Sequence, residues 1–181
     1  LARQPGRCSR VELLACVFAL FGVRPAELVR GVVLDATATG LRLAVAGAKV
    51  DTTRGQPMRV LEVNTTCRGQ SALAVALLRA HVEETGGDLS ATAADIVAVR
   101  RAIREVQEGL SPYAFRHAVA SSVKASQSRS GVAAWLGHSP LIAATHYLQT
   151  RDAHFDAIAG IGEGSKKAAA NPATNAATYT R

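Results

Sequence analysis

Leu41, Leu43 and Val45 alternate with Arg42, Ala44 and Ala46, a period of two that belongs to a strand with one face buried. Residues 59–63, Arg-Val-Leu-Glu-Val, make a second candidate strand. Between them lies GAKVDTTRGQP, a polar stretch bearing Gly and Pro that reads as a hairpin loop. Residues 32–63 are therefore expected to form a small antiparallel sheet. Everything beyond that segment reads as helical, so the expected fold is mainly α with one small antiparallel sheet, an α+β arrangement.

The helical signals are local and specific. Ser9-Arg10-Val11-Glu12 has the S-x-x-E form of a capping box, in which side chain and backbone satisfy each other at a helix start. An apolar run to Phe21 follows and Gly22 ends it. Pro25 suits the first turn of another short helix, where its missing N–H would have had no partner. Further helices are expected over Ser71 to Glu84, closed by Gly86-Gly87, over Ser90 to Gln107 and over Tyr113 to Ala125, with two or three shorter ones to about Ala159. The final GEGSKKAAANPATNAATYTR is small, polar and low in complexity, which predicts a flexible tail over residues 161–181, or an arm that docks on a partner, after a single domain over 1–160.

With 181 residues, 48% of them hydrophobic and 19% charged, the chain can bury one substantial core. The longest apolar run, VELLACVFALFGV, contains Glu12 and stops at Gly22, short of the roughly 20 residues a membrane span needs. No secretory signal is evident. The chain opens on Leu1 and its only methionine is Met58, so it reads as a piece of a longer protein. A formal charge of +7 attracts polyanions, of which nucleic acid is the commonest large one in a cytoplasm. Cys8, Cys16 and Cys67 are odd in number and far apart. That spacing fits free thiols in a reducing compartment and neither a zinc site nor a disulfide framework.

Five separated segments carry chemistry. GVRPAEL sets Arg24 three positions before Glu27, at the entrance of a short helix. Lys49 stands in the hairpin loop. SPYAFRHAVAS carries Tyr113 and Arg116 in a Y-x-x-R spacing, WLGH carries His138, and THYLQTR carries Tyr147, nine positions after that histidine. Taken singly, each has a plainer reading. Arg24 and Glu27 make a surface helix ion pair, Lys49 is a solvated charge, His138 bonds at a helix end and Tyr147 is a half-buried aromatic.

Taken together and in order, from about Val11 to Ala159, they resemble the tyrosine recombinase (phage integrase) family. That family has an arginine in G-x-R-x-x-E-L, a lysine on a β-hairpin, an H-x-x-R-H segment opening a later helix, then L-G-H with the nucleophilic tyrosine nine residues on. One element departs, since Tyr113 stands where the family has His or Lys; it is kept as an accessory position and not as a proton acceptor. The resemblance implies a catalytic domain that breaks and rejoins double-stranded DNA through a 3′-phosphotyrosine. It also implies a DNA-binding domain N-terminal to this one, a tetramer on two duplexes, and work in the cytoplasm on the nucleoid.

The chemistry needs these residue types. Attack on an anionic phosphodiester builds charge on the non-bridging oxygens, and guanidinium forks such as those of Arg24 and Arg116 can hold them while remaining charged at any working pH. Fixed donors of this kind contribute on the order of 3 kcal/mol each. In the implied scheme His138 adds a hydrogen bond to the same phosphate, Tyr147 attacks phosphorus, and Lys49 protonates the departing 5′-oxygen. No metal or nucleotide cofactor enters that scheme, and the chain has neither a G-x-x-x-x-G-K-[ST] loop nor clustered acidic ligands. Arg54, Arg59, Arg100, Arg101 and Arg104 are candidate phosphate contacts along the duplex. Two other functions stay open: type IB topoisomerase relaxation by the same chemistry, and a catalytically silent DNA-binding module.

Overall fold

The computed structural model describes residues 8–48, 50, 55–64, 70–126 and 129–137. Its central element is helix α1, Arg10–Phe21. The capping box is formed: Ser9 Oγ accepts the Glu12 N–H at 3.2 Å while the Glu12 carboxylate takes the Ser9 N–H at 2.8 Å. Leu13, Leu14, Val17, Phe18, Leu20 and Phe21 are all buried. So broad an apolar surface needs neighbours on several sides, and α1 packs against α3 (Gln70–Thr85), α4 (Ala93–Val106) and α5 (Pro112–Ser126). Gly22 closes α1 in the left-handed conformation, and the short helix α2, Pro25–Arg30, begins on the proline as expected.

The sheet comes next in the chain. β1 (Val32–Ala36), β2 (Gly40–Ala46) and β3 (Met58–Asn64) pair antiparallel, and with β4 (Asp88–Leu89) the sheet order is β3-β2-β1-β4. Leu41, Leu43 and Val45 are buried and Arg42 is exposed, so the predicted alternation of β2 holds. Its inner face, with Leu34, Leu61 and Val63, joins the core built on α1 and α3. The outer face carries a row of charges in register, Asp35 opposite Arg42 and Arg42 opposite Glu62.

Two features depart from the sequence reading. The fourth strand, β4, is only Asp88–Leu89, and it pairs with Val32 and Val33 at the far edge of β1. Two residues leave no periodicity to detect. Helix α4 begins at Ala93 and not at Ser90, because Thr92 caps it in a second box with Asp95. The residues before it instead run in from β4, with the Ala91 N–H on the Leu28 carbonyl at 2.9 Å. The last described helix, α6 (Arg129–Leu136), packs on α5 and β3. The shorter helices expected to about Ala159 and the tail over 161–181 lie outside the described residues. Among the described residues no helix is long and apolar enough to cross a membrane.

Candidate functional site

Arg24 and Glu27 are buried rather than on the surface, at 8% and 0% exposure. Arg24 stands at the N-cap of α2, and Glu27, three residues in, reaches back to it. Glu27 Oε2 takes the Arg24 backbone N–H at 2.7 Å, and Oε1 takes its Nη1 at 2.9 Å. A carboxylate at the third helical position satisfies an orphan N–H at the helix start. The same carboxylate is also gripped from the sheet. Arg59 Nη1 donates to Oε1 at 3.0 Å and Nη2 to Oε2 at 2.7 Å, a two-pronged pairing. Burial by itself pushes the Glu27 carboxyl up. The hydrogen bonds and charge of Arg59, with those of Arg24, outweigh that and hold it below the ordinary glutamate range.

Arg59 was expected to touch DNA, and the structure corrects this. Its side chain is 3% exposed and its two terminal nitrogens are spent on Glu27. The physical reason is strand phase. Arg59 alternates in step with Leu61 and Val63, so it points to the inner face of β3. That phase is readable in the sequence, and an arginine at an inward position needs a buried partner.

Arg116, on the second turn of α5, is 2% exposed. Its Nη1 donates to the Gly22 carbonyl at 2.7 Å and its Nη2 to the Leu136 carbonyl at 2.5 Å. One guanidinium thus ties the end of α1 to the end of α6. Trp135 adds a second tie, its indole N–H on the Phe21 carbonyl at 3.2 Å. Close approach makes this possible: a Cβ on Gly22 would stand 3.0 Å from Val119 Cβ and 3.3 Å from Arg116 Cα.

Gly137 closes the circuit. It follows α6 at φ +64°, and a Cβ there would lie 2.8 Å from Arg59 Nη1. The chain of contacts therefore runs from Arg24 through Glu27, Arg59, Gly137, Leu136 and Arg116 to Gly22, two residues before Arg24. Three guanidinium groups share this cluster with the Glu27 carboxylate. Positions 24 and 116, separated by about half the chain, are brought into one assembly, and position 138 is next in sequence after its last member. Gly137→Ala must strain the backbone and displace Arg59 at once. It is expected to lose at least about 1 kcal/mol in a urea titration, and an unchanged midpoint would contradict the contact.

Tyr113 is half exposed on the first turn of α5. Arg100, Arg101 and Arg104 are exposed on α4, where with Val97 and Glu105 they line a shallow concavity of about 430 Å³. Arg101 Nε pairs with Glu105 there at 2.9 Å. Lys49, Arg54, His138 and Tyr147 lie outside the described residues. The loop that contains Lys49 and Arg54 is closed at its base by the Gly47 N–H on the Pro57 carbonyl at 3.0 Å. No protein-family model, curated protein or solved structure matches this chain.

Proposed function

We propose that the chain is a catalytic domain of the tyrosine recombinase type, which breaks and rejoins double-stranded DNA through a covalent 3′-phosphotyrosine. The observation that carries this reading is the buried cluster that unites Arg24 and Arg116 and ends at Gly137, next to His138. Within it the Glu27 carboxylate is held by two guanidinium groups, those of Arg24 and Arg59, while Arg116 bonds the Gly22 and Leu136 carbonyls. Guanidinium groups held at fixed positions in a water-poor place suit an arriving anion. The scissile phosphate is such an anion, and the charge it gains on attack is what the arginines stabilise.

The roles follow from the groups. Arg24 and Arg116 bind the non-bridging oxygens. Arg116 bridges the Gly22 and Leu136 carbonyls, so it also fixes the cluster's shape. His138 donates to the same phosphate. The Tyr147 oxygen, giving up its phenolic proton to solvent, forms a bond to phosphorus as the bond to the 5′-oxygen breaks, and Lys49 supplies that oxygen's proton. The energy of the old ester is kept in the new one, so a 5′-hydroxyl can reverse the step on the same or another duplex. In this reading the exposed arginines of α4 meet flanking phosphates, and a tetramer forms on two duplexes.

The test is covalent capture. The chain is incubated in EDTA with a pool of nicked duplexes of randomised sequence, and adducts stable to SDS are recovered and sequenced. A 3′-phosphate linkage on the peptide containing Tyr147 is the expected result. No adduct from the pool, or adducts only with Mg²⁺, would overturn the proposal.

A further inference from the structure

We propose that Arg59 is a positioning residue of this site, acting through Glu27 on Arg24. The inference rests on the catalytic reading above and adds to it a residue that does not touch the DNA. Each oxygen of Glu27 accepts two hydrogen bonds, one from Arg24 and one from Arg59. With four bonds the carboxylate is saturated and cannot rotate. Arg24 is therefore held in one orientation by a group that is itself held from the neighbouring sheet. Without Arg59, the carboxylate would be anchored only to the helix end it braces.

Stability alone does not call for an arginine at this place. Well-packed apolar residues commonly replace buried ion pairs with no loss of stability. Arg59 also leaves its Nε buried without a hydrogen bond partner among the described residues, which is a cost and not a gain. Geometry does call for it. The planar fork spans Glu27 with both prongs, and its Nη1 lies 2.8 Å from where a Gly137 side chain would begin. A single rigid plane thus sets the distance between the start of α2 and the end of α6. Lysine offers one ammonium point and cannot reproduce both contacts.

The experiment compares Arg59→Lys with the unaltered chain on a duplex recovered from the randomised pool, carrying either a normal phosphate or a methylphosphonate at the cleaved position. The methyl group removes one charged oxygen, so catalysis on it depends less on how well Arg24 is aimed. With the phosphate, R59K is expected to form adduct at least about tenfold more slowly, while duplex affinity is unchanged. With the methylphosphonate the two proteins should differ by less than about threefold, the charge term that Arg24 supplies being reduced. Equal slowing on both substrates would mean a merely structural role and would overturn the proposal, as would R59K at the unaltered rate on the phosphate. Should R59K not fold, Glu27→Gln carries the same comparison, because it keeps Arg59 but weakens its link to Arg24. An unaltered chain that captures neither substrate would sink the catalytic reading itself, a result separate from either of these.

Discussion

Glu27→Ala is expected to destabilise the fold by about 3–5 kcal/mol, the usual cost of removing one member of a buried charge cluster. The side chain is fully buried and takes four hydrogen bonds. Its loss strands the Arg59 guanidinium, which has almost no access to water. The pH dependence distinguishes this cause from lost packing. The Glu27 carboxyl is held below its ordinary value of 4.5 in the folded chain, so its ionised form stabilises the native state fully above that value. The contribution is lost as the pH falls below it and through the lowered folded pKa. Urea midpoints measured from pH 6 down to 2.5 should therefore show the gap between unaltered chain and variant narrowing as the solution is acidified. A gap that stays constant would mean the charge is not what Glu27 contributes.

Tyr147→Phe is expected to abolish adduct formation, to below about one part in a thousand of the unaltered rate, because it removes the oxygen proposed to bond phosphorus. The change removes one oxygen and keeps the ring, so duplex affinity and the urea midpoint should not move. Adduct that survives at a comparable rate, mapped to another residue such as Tyr113 or Tyr179, would reject Tyr147 as the nucleophile. Slow capture mapped to no residue would indicate trapped, non-covalent complex.

Local signals made much of the fold legible. The S-x-x-E box before Leu13, Gly22 after Phe21, Pro25 ahead of α2 and the alternation through Leu41, Leu43 and Val45 each act within a few residues, and each appears where it was read. Strand β4 escaped because two residues carry no period. The start of α4 was misplaced because Ser90 and Thr92 both suit a cap, and only Thr92 has an acid three residues on. For the candidate site, the order of R-x-x-E-L, x-x-R-H and L-G-H marked Arg24 and Arg116, and the fold joins both to one cluster.

What the sequence by itself determined is which residues begin and end helices, which face of β2 is apolar, and which arginines stand in a patterned segment. Those are properties of spacing along the chain. The tertiary structure alone decided the partners: Arg59 with Glu27, 32 positions away, and Arg116 with carbonyls 94 and 20 positions away. Such contacts arise because a buried guanidinium must find acceptors wherever packing brings them. Spacing along the chain holds no record of which distant carbonyl or carboxylate that will be.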